Sequence, residues 1–380
     1  MRMSGVRSST ELSAQVVHPS ALASEDARAW RSLQTAYPAF ASPLLGPDFA
    51  AAVGAVRDDA RVAVFRKGGK AAGFLPFHQR PGAFGRPIGA PFSDYHALVA
   101  GPGLAEDGDQ LLGKVGLQSL RLSGLIDPYD LFQTAAPQRV WAHRIVLEHG
   151  AEAYLDALFK SSGNRLKNFK RYSLALERDF GPLRLVAPDR DRSAFDQLIA
   201  WKRRQLDETG LHDFLNVAWS HELMRRLFET TEDDFQGAMV SLYAGDRLVL
   251  AHFGVRLGDW FHPWLAAYDT ELHHYSPGLV HQIEAIRAMP ALSLRTYDLG
   301  PSGDHWKRMF ALGGVWVGIG MAGAPASNMR GEAGGPLLSR VRNRMDHIAS
   351  LELTLAGRVQ GAAQALAGMG ARGRSRRKTG

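Results

Sequence analysis

The 380-residue chain contains no cysteine. That excludes disulfide frameworks, thiolate zinc sites, iron–sulfur clusters and a cysteine nucleophile, and it makes the cytoplasm the expected compartment. Long apolar runs are missing too. Met1 to Gln15 mixes Arg2 and Arg7 with Ser and Thr and has no block of the ~7 to 15 apolar residues that a secretory leader needs. Met309 to Met329 is uncharged, yet its five glycines, Pro325, Ser327 and Asn328 break the ~20 apolar residues of a membrane span. A strand and a loop are expected there.

The body of the chain also lacks net charge. The total is +7, but from Met321 onward ten basic residues face only Glu332, Asp346 and Glu352, so the first 320 residues are neutral overall. The excess therefore says little about what the folded body binds. It points to a cationic tail, 323–380, in which Leu338, Val341, Met345, Ile348, Leu355 and Val359 line one amphipathic helix before Arg372 to Lys378. Such a tail suits an anionic membrane surface or another polyanion, and places the protein peripheral to the inner membrane. Removing it is expected to change location and leave turnover intact.

At ~100 to 200 residues per domain the length suits two domains. Helices are expected over 30–56, a hairpin over Arg61 to Arg80 around Lys67-Gly68-Gly69-Lys70, a strand over Tyr95 to Ala100 and a helix over Asp109 to Leu120. Lys160 to Arg178 carries six basic residues against Glu177, in a basic helix (151–180) that joins the halves. Beyond it come two amphipathic helices and a three-stranded meander, Ala238 to Tyr243, Arg247 to Leu257 and Trp260 to Tyr268. Two-residue turns would set Val255 opposite His262 and Phe253 opposite Trp264. Ser276-Pro277-Gly278 starts a helix, with Ser as N-cap and Pro at the first position. A strand over Leu294 to Leu299, a short helix over His305 to Ala311 and a strand over Val315 to Met321 complete an α/β order.

Three formal motifs lack their context. Gly318-Ile-Gly320-Met-Ala-Gly323 fits a dinucleotide fingerprint but opens no helix, and Gly108 to Lys114 resembles a phosphate loop without the Ser or Thr that holds magnesium. The second reads as a surface helix. His273 and His274 are adjacent and cannot share a helix face, so no metal is expected. The Ser276 helix start remains, because unpaired N–H groups and a positive dipole end can seat a phosphate.

Trp201-Lys202 through Gln205, Val249-Leu-Ala-His-Phe-Gly254, Trp264-Leu-Ala-Ala-Tyr268-Asp269, Ser276-Pro-Gly278, Tyr297-Asp298-Leu-Gly300 and Trp306-Lys307, in that order, resemble the CelD/BcsL-like branch of the GNAT acetyltransferase superfamily, close to the FemAB-like peptidyl transferases. The resemblance covers about residues 18 to 322 and is strongest from Asn164 onward. It implies two tandem GNAT-like modules, 18–150 and 181–322, with mixed, mostly antiparallel sheets flanked by helices, after a flexible N-terminus over 1–17. It also implies an acyl-CoA co-substrate, acetyl-CoA or another, on the second module. The pantetheine arm would lie along the strand ending at Tyr268, with the pyrophosphate at Ser276, Pro277, Gly278 and Leu279. Leu272-His-His-Tyr-Ser-Pro-Gly278 replaces the superfamily's usual phosphate loop, which leaves an aminoacyl-tRNA donor open.

Direct attack by an amine or hydroxyl in a ternary complex is favoured, since no cysteine or GxSxG elbow offers a covalent route. The acceptor class implied is a small molecule or glycan precursor of polysaccharide and cell-envelope metabolism. Candidate catalytic residues are Lys307, placed by the resemblance as an oxyanion or anion binder, Asp94 at a loop-to-strand junction, and His262, which suits a base but suits a core position better. Arg165, Lys167, Lys170 and Arg171 form a positive stripe for the acceptor, and Lys202 a further substrate contact or a solvated residue. A non-catalytic binding protein on the same scaffold is the remaining alternative.

Overall fold

The computed structural model describes residues 11–104, 107–162, 166–231, 234–303, 305–323 and 336–363. They divide between two compact units, the first spanning 1–140 and 316–333 and the second 141–315 and 334–380. Both follow one order of elements. In the first, β1 (Leu12–Val17) leads to α1 (Ser24–Ala36), α2 (Pro47–Gly54) and the strands β2 (Ala60–Lys67), β3 (Lys70–Arg80) and β4 (Phe84–Pro87). A short β5 (Val99–Ala100) beside β3, α3 (Gly108–Lys114) and β6 (Ser119–Leu125) follow. The connecting elements β7 (Gln138–Val146), α4 (Ala151–Ser162) and α5 (Phe169–Phe180) come next.

The second unit repeats the series: β8 (Leu183–Val186), α6 (Arg192–Glu208), α7 (Ala218–Glu229), the meander β9 (Phe235–Ala244), β10 (Arg247–Leu257) and β11 (Trp260–Tyr268), then α8 (Pro277–Ala288) and β12 (Thr296–Pro301). After it come α9 (His305–Phe310), β13 (Gly313–Ala322) and α10 (Pro336–Leu351). In each unit the meander is antiparallel, and its last strand pairs in parallel with the strand after the helix. The closing strands are exchanged in sequence. β13 completes the first sheet against β6, and β7 completes the second against β12, so each half of the chain supplies the other's last antiparallel strand. The fold is α/β, with mixed, mostly antiparallel sheets flanked by helices.

Alternation along the strands gives each sheet two apolar faces. In the first unit Trp30 of α1 stacks on Phe74 with centroids 5.1 Å apart and donates Nε1–H to the Leu45 carbonyl at 2.9 Å. On the other face Phe65, Leu75 and Phe77 pack with Leu111 and Leu112 of α3. In the second unit Phe195 of α6 stacks on Phe228 of α7 at 4.3 Å, and both reach Phe253. Its opposite face, Val240, Leu242, Leu250, Phe261 and Tyr297, packs with α8, α4 and α5. Burying an aromatic of this size contributes about 2 to 3 kcal/mol.

Several expectations change. The hairpin and meander form as expected, but the strand over Tyr95 to Ala100 shrinks to Val99–Ala100 and a bridge at His96. The helix from Asp109 stops at Lys114, because Gly116 takes φ +71° and Ser119 opens β6. Its buried Leu111 and Leu112 make α3 a core helix instead of a surface one. Gly318 and Gly320 lie inside β13 and let the 133–136 segment approach closely, for a Cβ at 320 would come within 1.8 Å of the Ala135 carbonyl. The connecting helix is two helices, α4 and α5, whose Leu155, Leu158 and Leu176 belong to the second unit's core. The division also runs through β7 and β13 and does not follow 18–150 and 181–322.

Part of the tail is anchored. Trp219 donates Nε1–H to the Leu351 carbonyl at 2.9 Å, His212 Nε2 and Glu352 Oε1 are 3.1 Å apart, and Ile348 and Leu351 are buried. The amphipathic stripe breaks after Leu351. Ile348 is buried, whereas Leu355 and Val359 are exposed. Arg372 to Lys378 lie outside the described residues, as does residue 338–341 side-chain placement.

In the first unit Asp59 gathers Arg57 at 2.8 Å, Arg80 at 3.1 Å and His78 Nδ1 at 3.0 Å, while Gly89 N–H donates to His78 Nε2 at 2.9 Å. Burial, only partly offset by Asp59, lowers His78 to about 4, and burial lowers His96 to about 3. Both rings fold neutral. Between about pH 6.5 and these values the unfolded chain binds more protons, so stability falls as pH falls through that window. Each histidine is expected to remove about 2 kcal/mol between pH 7 and pH 5. Denaturant unfolding at the two pH values measures this, and equal stabilities would refute it.

Candidate functional site

The site of the second unit opens where β11 and β12 part. They pair only at Trp260–Thr296 and Phe261–Tyr297. Beyond that point β11 keeps its antiparallel partner β10, and β12 keeps β7. A bulge re-aims β11 just where the two strands separate. Val255 faces His262 as expected, but Gly254 faces Pro263 and Phe253 faces Leu265, so Trp264 is the extra residue and loses the pairing expected with Phe253. Gly254 permits this, since a Cβ there would come within 2.0 Å of the His262 carbonyl oxygen. Pro263 brings no N–H to leave unpaired.

The segment after β11 is pinned at both ends. Arg247 Nε donates to Asp269 at 2.9 Å, and Tyr275 donates its hydroxyl hydrogen to Asp179 of α5 at 2.7 Å while its ring meets Phe180 edge-on. Ser276 then turns left-handed, φ +51° and ψ +59°, a conformation that costs a non-glycine residue about 1 to 2 kcal/mol. It occupies the N-cap position without making the side-chain cap bond expected of it. Its hydroxyl turns to the Tyr172 phenol, which Ser276 and Arg171 together hold below the usual tyrosine pKa. Pro277 has no N–H, and the first turn of α8 holds no acid, so the Gly278 N–H stands at a positive helix end.

The corresponding helix of the first unit is closed. Asp107 accepts from Gln110 N–H at 3.0 Å, Gly108 N–H donates to the Leu131 carbonyl at 2.8 Å, and the Phe132 ring fills the space a Cβ on Gly108 would need. An acidic cap and a ring over the first turn leave no phosphate seat there.

Beneath the start of α8 lies a buried polar group that sequence reasoning missed. His252 Nδ1 and the Tyr297 hydroxyl are 2.6 Å apart, the His252 and His281 rings are 4.3 Å apart, and Trp306 of α9 stands edge-on to His252 at 6.0 Å. His281 Nε2 donates to the Val240 carbonyl at 3.0 Å, which leaves Nδ1 the acceptor. Burial, then His281 and then the charge of Lys202, hold His252 well below the ordinary histidine pKa, burial puts His281 at about 4, and burial raises Tyr297 well above 10. The signal was the parity of the meander: His252 shares a face with Val240 and Leu250, the face that α8 covers.

The structure distributes the expected site residues unevenly. Tyr268 closes β11, and Ser276, Pro277, Gly278 and Leu279 form the start of α8, with Trp306 Nε1 3.5 Å from where a Gly278 Cβ would stand. Lys307 follows Trp306 on α9, half-buried, its carbonyl accepting from Ala311 N–H at 3.1 Å and its ammonium without a hydrogen bond or ion pair among the described residues. His262 is fully buried on the other face, with Nδ1 3.7 Å from Asp298, itself held by Arg144 Nε at 2.9 Å and Gly300 N–H at 2.9 Å. Asp94 belongs to the first unit, where its carbonyl packs on Gly124. Lys167, Lys170 and Arg171 are exposed on or beside α5, the helix whose Tyr172 meets Ser276, and of the three Arg171 reaches the Tyr172 ring at 5.0 Å. Arg165 lies outside the described residues. Lys202 is drawn inward, its pKa lowered by burial and its ammonium 3.0 Å from Gln205.

Residues 163–308 match the family model described as acetyltransferase (GNAT) domain, a span that holds α5 to α9 of the second unit. No curated protein matches the chain. Among solved structures it is similar to the C-terminal domain of a putative lysylphosphatidylglycerol synthetase from Agrobacterium fabrum, with 10% identity, TM-score 0.46, and 83% of this chain and 96% of that one covered. A tandem GNAT protein from the clavulanic acid biosynthesis pathway is similar with 12% identity and TM-score 0.46, covering 83% of this chain and 99% of that one. FemX is similar with 12% identity and TM-score 0.32, covering 69% and 87%.

If the bulge is what opens β11, Gly254→Ala should cost several kcal/mol, because its Cβ meets backbone and no side chain can move aside. Gly303→Ala, with open space around it, should be neutral. Thermal unfolding of both variants decides the point; equal melting temperatures would refute it.

Proposed function

We propose that the second unit is an acyltransferase that takes its acyl group from a coenzyme A thioester. The observation that carries this reading is the open helix start at Ser276 to Leu279 beside the parted strands β11 and β12, in the span that matches the GNAT domain. A pyrophosphate would meet the Gly278 N–H and the dipole end of α8, with Arg171 nearby for charge, and the pantetheine amides would meet the strand edge that β12 leaves at Tyr268. The sealed start of α3 argues against a second donor site in the first unit.

The acceptor amine or hydroxyl attacks the thioester carbonyl, forming the new C–N or C–O bond as the C–S bond breaks. Its proton passes to a base or water, and the thiolate leaves protonated. Lys307 would stabilise the developing oxyanion or hold an anionic acceptor. His262, with Nδ1 3.7 Å from Asp298, would orient the wall of the site. With His252 neutral, the Tyr297 phenol bonded to it fixes the floor beneath the reacting thioester. The acceptor class fits polysaccharide and envelope precursors through the CelD/BcsL-like motif order.

Gly278→Ala should leave acetyl-CoA affinity within about twofold, since its Cβ makes only ordinary contact, whereas Gly278→Asp should lower it at least tenfold by placing an anion at the helix start. Calorimetry with acetyl-CoA and a longer acyl-CoA measures both. Failure of the unaltered protein to bind any acyl-CoA would sink the reading. Retention of aminoacyl-tRNA instead, lost on Lys167→Glu and Arg171→Glu, would assign the donor to charged tRNA on the exposed basic stripe. Lys307→Ala should lower kcat at least tenfold while leaving acyl-CoA affinity unchanged, and an unchanged kcat would remove Lys307 from the chemistry.

A further inference from the structure

We propose that the exposed face of residues 353–359 is a docking surface for an anionic lipid bilayer, independent of the acyl-transfer site. Residues 355–363 form a helix that is seated with its smallest residues inward. A Cβ on Gly361 would come within 2.8 Å of Ile348 and 3.2 Å of the His212 ring, and one on Gly357 would meet the Glu352 carboxylate. Positions 357 and 361 lie one turn apart on one face, and 355 and 359 on the opposite face. The glycines bring the helix close to the body, and the large apolar residues are left outside. Leu355 is 77% exposed, Val359 61% and the preceding Leu353 47%. Arg358 bonds the Glu352 carbonyl at 3.0 Å, and Trp219 and His212 hold the start of the segment, so this outward face is fixed and does not arise from a loose end.

Charge selects the occupant. Residues 353–380 carry Arg358, Arg372, Arg374, Arg376, Arg377 and Lys378 with no acid among them. Three apolar side chains alone give only marginal insertion, and basic residues alone are held only within about a Debye length of an anionic surface. The two together meet the requirement of two signals for stable peripheral binding. A nucleic acid would use the charges and leave the leucines without a partner. No helix among the described residues is long and apolar enough to cross a membrane, and this arrangement needs none.

The test floats the full chain with vesicles of phosphatidylcholine containing about a third phosphatidylglycerol, and with pure phosphatidylcholine. Binding is expected to the anionic vesicles only, and to fall steeply between about 0.1 and 0.5 M salt. Leu355→Asp with Val359→Asp should lower it about tenfold with an unchanged melting temperature and unchanged acyl-CoA binding, and chains ending at residue 363 should lose it comparably. Equal binding to neutral vesicles, no binding to either, or full binding by the double variant would overturn the proposal. Duplex DNA retention without vesicle binding, or a dimer abolished by the double variant without vesicle binding, would overturn it in favour of a polyanion or a second copy.

Discussion

The short parallel pairing of β11 with β12 is the constraint from which the rest of the second unit follows. Two residue pairs hold the strands together, and beyond them each stays bonded to a different antiparallel neighbour. A parallel connection needs a crossover, and α8 supplies it, so the helix start necessarily arrives beside the strand edge that the separation leaves. Gly254 and Pro263 make the parting possible on the β11 side. On the β12 side the buried Asp298, bonded by Arg144 from β7 and by Gly300, keeps the strand in its own register.

That arrangement explains why the polar groups of the unit fall into two sets. Residues of one parity, His252 and Tyr297, turn to α8 and meet His281 from above. Those of the other parity, His262 and Asp298, turn to the side of α6 and α7. Every one of them is buried, so the protein holds them by its own dipoles. For His252 and His281 the neutral ring satisfies this at lower cost than the charged one, which is the physical origin of their lowered pKa values.

Much of the fold was legible in the chain. The alternation of the meander, the glycine turns at 245 and 258 and the Ser-Pro-Gly helix start are local signals, decided by residues within a few positions of one another. The bulge was not legible, because its cause is a clash across strands: nothing in the run Phe261 to Leu265 reveals that Gly254 will stand beneath it. The buried cluster escaped for a similar reason, since a histidine on a strand says nothing of which helix will cover it. The basic stripe at Lys167 to Arg171 was visible as charge, while the link from Arg171 through Tyr172 to Ser276 depends on α5 packing against the 269–276 segment.

The sequence by itself determined the α/β class, the absence of thiol chemistry, the location of the excess charge and the motif order that resembles acyltransferases, all of which rest on composition and short-range pattern. Only the tertiary structure decided that β7 and β13 are exchanged between the sheets, that one helix start is open and its counterpart sealed by Asp107 and Phe132, and that the apolar residues at 355 and 359 face outward. Each of these depends on contacts between residues far apart in the chain, where packing and hydrogen-bond satisfaction, not local preference, select among conformations that the local sequence allows equally.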